Sequence, residues 1–529
     1  MKPAVLPDFS LLLAGRVMCF FLCLPFLILF QLKAVQLSSN LEVIAIAEVK
    51  FDSDLPEFRT SGGANSSSTK HEVFVQPVMW VKAIDIVLDR LVMQGADLST
   101  VLAIGGSAQQ HGSLYWSRHG VKTLRNLNSD KFLHVQIDDS AFTVNRTPIW
   151  MDGSTEKQCV EMETAIGGRA EMLNISGSKC YARFTGPQIR KIYQERSNAY
   201  EETQRISLVS SFCASVFLGD IAPIDYGDAS ERFGFSPECI VTAFTGDNLS
   251  ALSGMVLEQN CLVMSLGTSD TLIMNLKEQP RLEEGHVLCH PTEIGHFVGL
   301  MCFRNGSLVR DLFNKIEASS DWNKFNELLD STPRGNYGNM ALHFHSIEII
   351  PNVKGVLRWT RNNSSENSET AKGVQKFLSP QTEIRALIEG QMLHKRAVAS
   401  DMGFHFGDET KIVATGGASV NKSILQVISD VFNAPVFVQN ESEAALFGAA
   451  YRAKYAIYLN SLVDVSRICH ENNNVQHTAT TGPLSYLDYI TRFIPNHLRI
   501  VCEPSKDCEQ IYSPMVERYR KMALILAKK

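Results

Sequence analysis

The sequence predicts an α/β protein with two domains that face a common cleft. The chain has 529 residues, enough for two large domains, and its 45% hydrophobic and 20% charged residues are typical of a folded globular protein. Short apolar strands run into turns rich in glycine and hydroxyl residues at Gly105–Gly112, Thr245–Asn248 and Gly416–Ser419. Such strand and turn units occur in both halves of the chain, and ligands of open α/β sheets lie at turns of this kind.

The stretch Ile240–Thr271 shows this pattern most clearly. It contains an apolar strand, a turn, a short helix at Leu249–Met255, and a second strand that runs into a glycine turn. We expect the two turns to lie close together at the ends of neighbouring strands. The first carries the carboxylate of Asp247 and the amide of Asn248, whereas the second surrounds Gly267 with hydroxyls and exposed N–H groups that suit phosphate oxygens. A base beside a phosphate cradle predicts phosphate transfer to a hydroxyl.

The remaining elements are predicted from hydrophobic period and from residues that break helices and strands. Alternation predicts two strands, Leu32–Leu37 and Leu41–Phe51, joined by a turn at Ser38–Asn40. A period of 3.6 residues or a compact apolar run predicts helices at Pro77–Leu91, Thr155–Ile166, Arg205–Leu218, Ser307–Ile316, from Trp322 onward, Ile384–Val398, Ser423–Phe432, Ala444–Arg452 and Ser513–Ala527. Short apolar runs predict strands at Val101–Ile104, Val298–Phe303, Lys411–Thr415 and Pro435–Gln439, with another ending at Asp152.

Charge and cysteine usage exclude several classes of protein. Lys and Arg total 50 against 56 Asp and Glu, so the basic surface that a nucleic-acid partner requires is not expected. The twelve cysteines form no CxxC pair and no zinc-like spacing, which favours reduced, mostly buried thiols. We therefore expect a cytoplasmic protein whose ligands are small molecules.

The N-terminal segment, residues 1–31, leaves a second location open. Leu11–Leu32 is almost purely apolar and is interrupted only by Arg16 and Pro25. The core Val17–Phe30 has the length of a signal-peptide apolar region but is marginal for a membrane span. The alternative to a cytoplasmic protein is thus a membrane-associated or secretory one, and any membrane association would act through residues 11–32.

Three further turns carry residue types suited to binding. Gln110 and His111 follow a buried strand in a glycine turn, where they could hold a polyhydroxylated small molecule. Arg183 lies beside an aromatic residue and a glycine, as either a surface salt-bridge partner or a guanidinium fork in a cleft. The adjacent Gly416 and Gly417 allow the backbone to approach a flat ring or a diphosphate. No Walker A, GxGxxG, HExxH or GxSxG motif occurs, so the phosphate loops are of another type.

The ordered set of motifs resembles the xylulose kinases, a sugar-kinase family whose two domains share an actin-like, ribonuclease-H-like fold. The motifs that carry the likeness are GSAQQHGSLYW, PIWMDGST, ARFTGPQIRKIY, RISLVSSF, FTGDN, SLGTSDT, EGH, RNGSLVRD, EIRALIEGQ and ATGGASVN. The likeness runs from about Leu32 to Arg452 and resumes near Cys502. It implies a sugar-binding domain at 32–236, a nucleotide-binding domain at 237–455, and a C-terminal extension with a closing helix at 456–529.

The resemblance also implies roles for individual residues. Asp247 matches the family's catalytic base, and Asn248, His111 and Arg183 match its other sugar-binding positions. On the nucleotide side the matching residues are Gly267 and Thr268 in a phosphate loop, Gly416, Gly417, Ala418 and Asn421 in the adenine-side loop, and the aromatic Trp322. The family transfers the γ-phosphate of ATP, with Mg²⁺, to the terminal hydroxyl of D-xylulose, giving D-xylulose 5-phosphate. Metal ligands in this chain are not assigned.

Two departures from the family pattern leave the activity open. Family members open with a strand that ends in Asp-x-Ser-Thr-Gln, whereas the corresponding Phe26–Phe30 has no Asp, Ser or Thr, and Asp8 lies too far upstream. A segment of several dozen residues that should follow Ser230 is also missing, since the chain continues directly with Glu231–Phe235. The leading hypothesis is a xylulose kinase, with phosphate transfer either intact or impaired. The alternatives are a kinase for another ketose or polyol and a catalytically silent sugar- or nucleotide-binding protein.

Overall fold

The computed structural model divides the chain into two compact units. It describes residues 16–23, 31–67, 71–176, 178–222, 240–258, 260–278, 284–293, 295–360, 375–439, 443–471, 483–495 and 497–528, with the backbone alone at 16–23 and 463–471. Unit 1 comprises Met1–Arg169, Cys180–Leu257 and Glu443–Pro495, and unit 2 comprises Ala170–Lys179, Glu258–Ser442 and Asn496–Lys529. The division is not linear in sequence, because the predicted extension 456–529 is shared between the two units.

Unit 1 is built around a mixed sheet. Its strands are β1 Arg16–Cys23, β2 Gln31–Leu37, β3 Val43–Lys50, β4 Asn65–Ser66, β5 Val73–Val75, β6 Val101–Ala108, β7 Ser113–Ser117, β8 Thr147–Pro148, β9 Thr203–Leu208, β10 Ile240–Val241 and β11 Thr245–Gly246. Its helices are α1 Phe51–Asp54, α2 Pro77–Met93, α3 Arg118–Leu124, α4 Leu133–Gln136, α5 Glu156–Ala165, α7 Thr185–Glu195, α8 Ser197–Glu201, α9 Val209–Leu218, α10 Asp247–Met255, α15 Ala444–Glu471 and α16 Tyr486–Ile490. Helix α6, Arg169–Ser176, crosses into unit 2.

The central sheet of unit 1 has the strand order β3-β2-β1-β6-β10. The hairpin predicted from alternation is confirmed, because β2 and β3 pair antiparallel across a turn in which Leu41 has a φ of 64°. β1 pairs antiparallel with β2 and parallel with β6. Part of the apolar segment is therefore a strand within the sheet, and among the helices the structure describes none combines the length and apolarity needed to cross a bilayer.

Two parts of the chain on which predictions depend are outside the described residues. They are 24–30, which contains Phe26–Phe30, and 223–239, where the family's additional segment should begin. The departures from the family pattern at these places thus remain observations on the sequence.

Strand β6 extends through the two glycines that were predicted to begin a turn. A Cβ on Gly105 would lie 2.3 Å from the carbonyl oxygen of Ala449 in α15, and one on Gly106 would lie 2.1 Å from the ring of Phe244. These glycines therefore permit close packing on both faces of the strand. The turn itself begins only after Ala108.

Two predicted helices are placed differently by tertiary packing. The helix predicted at Arg205–Leu218 is wrong in its first residues, because β9 pairs with β7 before α9 begins at Val209. The predicted small-residue helix at Ala444–Arg452 is part of α15, which belongs to unit 1, whereas the strand before it in sequence, Val436–Gln439, belongs to unit 2. In unit 1 a Cβ on Gly448 would lie 1.8 Å from the carbonyl oxygen of Ser250 in α10, so only the absence of a side chain allows this helix contact.

Unit 2 has a sheet of the same plan. Its strands are β12 Cys261–Leu266, β13 Asp270–Leu276, β14 His286–Cys289, β15 Phe297–Phe303, β16 Met340–Phe344, β17 Gly355–Trp359, β18 Lys411–Thr415, β19 Val436–Gln439 and β20 Leu498–Cys502. Its further helices are α11 Ser307–Ala318, α12 Trp322–Asp330, α13 Pro380–Asp401, α14 Lys422–Phe432 and α17 Cys508–Ala527. The order is β14-β15-β13-β12-β18-β19-β20.

The two sheets share one topology. In each, three strands consecutive in the sheet pair antiparallel, and two later strands are added in parallel beside the first: β3-β2-β1-β6-β10 in unit 1 and β15-β13-β12-β18-β19 in unit 2. The prediction of two α/β domains with one fold is confirmed by this repeat.

Helix α13 forms the centre of the unit 2 core. Nearly all of its side chains are buried, including charged ones, so it is covered on all sides.

Most of the cysteines whose side chains the structure describes are buried, and all of the described ones are free thiols.

Candidate active site

The carboxylate of Asp247 lies at the first position of α10, at the carboxyl end of a strand of unit 1. Thr245–Gly246 forms β11, which pairs parallel with the end of β6 at Ser107–Ala108. The helix thus begins at Asp247, two residues earlier than predicted. The expectation that the Asp247 and Gly267 turns follow neighbouring strands is wrong, because β11 belongs to the sheet of unit 1 and β12 to that of unit 2. Hydrophobic periodicity identifies strands but not the sheet that each one joins.

Hydrogen bonds connect Asp247 to the Gln110 turn. Oδ1 of Asp247 accepts from the backbone N–H of Asn248 at 2.9 Å and from its Nδ2 at 3.3 Å. The same Nδ2 donates to Oε1 of Gln110 at 3.2 Å. Gln110 fills the space beside Gly246, where a Cβ would lie 2.7 Å from the Gln110 side chain. The carboxylate, the Asn amide and the Gln amide therefore form one polar group.

His111 follows directly in the same turn and has an unusual backbone. Its φ of 71° lies in the left-handed region, which non-glycine residues seldom adopt and which occurs preferentially at functional sites. The imidazole stacks on the ring of Phe184 with the centroids 4.4 Å apart. Oγ1 of Thr185 donates to the carbonyl oxygen of His111 at 2.9 Å.

These contacts bring the Arg183 loop to the His111 turn, since Phe184 and Thr185 are its immediate neighbours. The guanidinium of Arg183 lies 5.2 Å from the ring centroid of Tyr181, within the range of a cation–π interaction. All four predicted sugar-side residues are thereby gathered in unit 1, although they come from three separate parts of the chain.

Asp152, predicted from the sequence to end a strand, stabilises the Arg183 loop through hydrogen bonds. It is buried, and its oxygens accept from the backbone N–H groups of Val73 at 3.0 Å and Ser154 at 2.9 Å. Nε2 of Gln188 donates both to Asp152 at 2.8 Å and to the carbonyl oxygen of Ala182 at 3.0 Å. The backbone just before Arg183 is therefore held by a buried carboxylate and amide pair.

The predicted nucleotide-side residues lie in unit 2, at the ends of β12 and β18. These strands pair in parallel up to Ser265 and Thr415, so the Gly267–Thr268 and Gly416–Gly417 turns follow side by side. Gly416 has a φ of 82°, and a Cβ there would lie 2.7 Å from the carbonyl oxygen of Leu266. Gly417 is exposed, with open space where a Cβ would lie. This edge of the sheet exposes backbone to which phosphate oxygens or a flat ring can bind.

Trp322 is connected to the same edge through its helix. Asn421 caps α14 by accepting from the backbone N–H of Ile424 at 3.1 Å, and its Nδ2 donates to Oδ1 of Asn326 in α12 at 2.8 Å. Trp322 begins α12 and is 38% exposed, with its ring 5.0 Å from that of Phe325. Its indole is thus available to a planar ligand beside the glycine turn.

A buried ion cluster lies behind the Gly267–Thr268 turn. Asp270 receives two hydrogen bonds from the guanidinium of Arg310, both at 2.8 Å, and Nζ of Lys395 lies 2.9 Å from its Oδ2. Burial alone raises the pKa of the Asp270 carboxyl, but the charges of Arg310 and Lys395 outweigh it and lower the pKa to about 2. The carboxylate is therefore ionised at neutral pH.

The residues that sequence reasoning missed are Asp270, Arg310, Gln391 and Lys395. Asp270 stands in the SLGTSDT motif, but its partners lie 40 and 125 residues away, and local pattern shows no sign of such pairing. Gln110 was recognised as part of a polar turn, and only the structure shows its bond to Asn248.

Unit 1 also contains a small, open groove that Asp152 and Gln188 help to line. Its walls include Glu72, Arg146, Asp152 and Lys191, and none of the four sugar-side residues lines it. Lys191 there is already bonded to Glu72 and Ser154. The groove is therefore separate from the candidate active site.

Comparison with known proteins defines the class to which this fold and site belong. The C-terminal domain model of the FGGY family of carbohydrate kinases matches residues 262–457. Xylulose kinase of Rattus norvegicus is 39% identical over 499 residues, covering 86% of this chain and 91% of that protein. Xylulose kinase 2 of Arabidopsis thaliana is 38% identical over 495 residues, covering 83% and 88%. The chain belongs to the FGGY family of carbohydrate kinases, and it is a phosphotransferase by class.

Solved structures agree on the fold. The xylulose kinase from Rhodospirillum rubrum superposes with a TM-score of 0.70 at 12% identity, covering 97% of this chain and 99% of that one. The glycerol kinase of Plasmodium falciparum with ADP gives a TM-score of 0.63 at 12% identity, covering 95% and 97%. At such identities the likeness concerns the fold alone.

Proposed function

We propose that this protein catalyses the ATP-dependent phosphorylation of D-xylulose to D-xylulose 5-phosphate, with Asp247 as the general base. The observation that carries the proposal is the joining of Asp247, Asn248, Gln110, His111 and the Arg183 loop into one polar group in unit 1. The relatives that are 38% and 39% identical, both named xylulose kinases, support D-xylulose as the acceptor.

In this reaction Asp247 acts in a single step, as the acceptor of a proton. Its carboxylate accepts the proton of the terminal sugar hydroxyl as that oxygen forms a bond to the γ-phosphorus and the bond from phosphorus to the β,γ-bridging oxygen breaks, releasing ADP. Asn248 donates two hydrogen bonds to Oδ1 of Asp247 and so orients the carboxylate. His111 and Arg183 bind and orient the other sugar oxygens.

The nucleotide side requires donors for phosphate and a surface for adenine. We assign the phosphate tail to the Gly267–Thr268 turn, and adenine to Gly416, Gly417 and Ala418 with Trp322 beside them. Asn421 supports this region by holding α12 to the start of α14. ATP fits these residues, because the backbone at Gly417 is open and a Cβ at Gly416 would close the turn.

Mg²⁺ is proposed as the companion of ATP and is bound through the phosphate oxygens. Within the described ranges no group of three or more His, Cys, Asp or Glu side chains is arranged to hold a metal ion. We therefore assign no protein ligand to Mg²⁺.

The test is a coupled assay of ADP release with the purified full-length chain, saturating ATP and MgCl₂. D-xylulose is compared with other ketoses and with polyols at equal concentration. We expect D-xylulose to give the highest kcat/KM. A higher kcat/KM for another sugar would replace the acceptor and retain the enzyme class.

A second candidate, a catalytically silent sugar-binding protein, is favoured by one observation. The sequence between β1 and β2, Leu24–Phe30, contains no Asp, Ser or Thr, where the resemblance implies a phosphate-binding turn. Calorimetry distinguishes the two, since D-xylulose binding without ADP release above the sugar-free background supports the silent protein.

We propose a cytoplasmic location, which is supported by the free thiols of the described cysteines. Fractionation of the tagged full-length chain tests it, and recovery in the membrane pellet would favour a role for residues 11–32.

A further inference from the structure

The group of buried polar side chains behind the Gly267–Thr268 turn has no place in the reaction described above. Asp270, Arg310, Lys395, Glu348 and Gln391 are each at most 8% exposed. Replacing such a buried ionic group with apolar side chains of similar volume is often neutral or stabilising. Stability is therefore a weak explanation for the group.

Its hydrogen bonds run to the backbone of a neighbouring turn. Nε2 of Gln391 donates to the carbonyl oxygens of Asn305 at 2.8 Å and Gly306 at 3.2 Å. The carboxylate of Glu348 accepts from the backbone N–H groups of Arg304 at 2.9 Å and Asn305 at 3.1 Å. Both sides of the Arg304–Gly306 turn are thus fixed by buried side chains.

The Arg304–Gly306 turn also contacts the Gly267–Thr268 turn directly. The backbone N–H of Ser307 donates to the carbonyl oxygen of Gly267 at 3.0 Å. A Cβ on Gly306 would lie 2.9 Å from the carbonyl oxygen of Thr268 and from the backbone nitrogen of Asp270. The two turns therefore cannot move independently.

Arg310 connects the two turns through hydrogen bonds to Asp270 and Gln391. Its Nη1 donates to Oδ2 of Asp270 at 2.8 Å and to Oε1 of Gln391 at 3.1 Å. One guanidinium thereby connects the residue that ends the first turn with the residue that holds the second. Gln391 accepts a hydrogen bond from Arg310 and donates to two carbonyl oxygens of the second turn. Among the side chains that the structure describes in this group, only Gln391 makes both kinds of contact.

We propose that Gln391, with the Asp270–Arg310 ion pair, is a positioning residue that holds the Gly267–Thr268 and Arg304–Gly306 turns in the geometry that receives the nucleotide's phosphate tail. The inference rests on the proposed function for the nucleotide side and adds to it the device that preorganises the site. Preorganised backbone donors bind developing charge without the cost of reorganisation.

The test compares Gln391→Met, which preserves the shape but removes all three hydrogen bonds, with Glu383→Gln. Glu383 lies in the same helix α13 and is fully buried, but it bonds to Arg358 and to the backbone of Phe377. Calorimetry with a non-hydrolysable ATP analogue and MgCl₂, and separately with D-xylulose, gives both affinities without turnover. We expect Gln391→Met to weaken nucleotide binding at least tenfold and to change sugar binding less than twofold. Glu383→Gln should change nucleotide binding less than threefold at a comparable loss of Tm.

Gly306→Ala serves as the second variant if Gln391→Met does not fold, because its Cβ would lie 2.9 Å from the carbonyl oxygen of Thr268 and from the backbone nitrogen and Oδ1 of Asp270. It therefore displaces the two turns while Gln391 keeps its hydrogen-bonding groups. It should give the same selective loss of nucleotide affinity. Unchanged nucleotide affinity in the folded variant, an equal loss of sugar affinity, or an equal effect of Glu383→Gln would overturn the inference. A wild-type chain that binds nucleotide and sugar but releases no ADP refutes the proposed catalysis alone, whereas one that binds no nucleotide refutes both.

Discussion

Replacing Asp247 by Asn separates the chemical role of this side chain from its structural one. An Asn carbonyl oxygen can still accept the two hydrogen bonds that Asn248 now donates to Oδ1. The variant loses the negative charge in the first turn of α10, which contributes about 0.3–1 kcal/mol at an exposed helix N-terminus. The fold should therefore be almost unaffected.

The loss of the proton acceptor acts on the barrier to phosphate transfer. General-base catalysis contributes about 10²–10⁴-fold, which corresponds to about 3–5 kcal/mol in activation free energy. We expect Asp247→Asn to lower kcat by this factor and to retain D-xylulose affinity within about fivefold of wild type, because shape and hydrogen bonding to Asn248 are preserved.

The assay is ADP release at saturating ATP and MgCl₂, with D-xylulose affinity measured by calorimetry on the same preparation. Asp138→Asn is the matched control, since Asp138 is an exposed acid that also caps the start of a short helix in unit 1. A kcat for Asp247→Asn within threefold of wild type would refute the assignment of the base.

Four other predictions concern unit 2 and residues 24–30. Asp270→Asn should lower the free energy of unfolding by about 3–5 kcal/mol, because it leaves two buried cations without their carboxylate, while the exposed Asp311→Asn should change it by less than about 0.5 kcal/mol in denaturant titrations. The ionised Asp270 stabilises the wild type fully at pH values above its ordinary pKa of 3.8. As the pH falls towards the pKa of about 2 in the folded protein, the free energy of unfolding of the wild type should therefore fall by about 2 kcal/mol, and that of Asp270→Asn should not. Parallel pH dependence of the two proteins would contradict this. Trp322→Ala should raise KM for ATP about 5-fold or more, the lower end of what stacking on a base contributes, with KM for D-xylulose unchanged and Tyr337→Ala as the exposed aromatic control; equal effects of both would contradict a stacking role. Replacing residues 24–30 by a turn containing Asp-x-Ser-Thr-Gln should raise kcat in the coupled assay, and no gain would mean that this turn does not limit turnover.

Local pattern is sufficient for much of this protein because most of its elements bury one face in a regular period. The helix that begins at Pro77 and the hairpin of β2 and β3 were predictable, since their apolar residues repeat at 3.6 and at two residues respectively. The candidate residues Asp247, His111 and Gly417 were identifiable for a related reason, because glycine and polar residues often end an apolar strand where the chain turns.

Local pattern fails where the structure adopted by a residue depends on residues that are distant in sequence. Gly105 and Gly106 resemble the start of a turn, yet they continue β6 because Ala449 and Phe244 leave no room for side chains there. The assignment of α15 to unit 1, across nearly two hundred residues from α10, is likewise decided by the close approach of Gly448 to Ser250.

The α/β class, the succession of strands and turns, and the residue types expected to bind sugar and nucleotide were all predictable from local pattern, because they depend on neighbours a few residues apart. The fold was needed to show which sheet each turn belongs to, that Phe184 joins the Arg183 loop to the His111 turn, and that Asp270, Arg310 and Gln391 meet behind one turn. Charges and amides in a dry interior pair according to their distances in space, and the order of residues along the chain does not contain those distances.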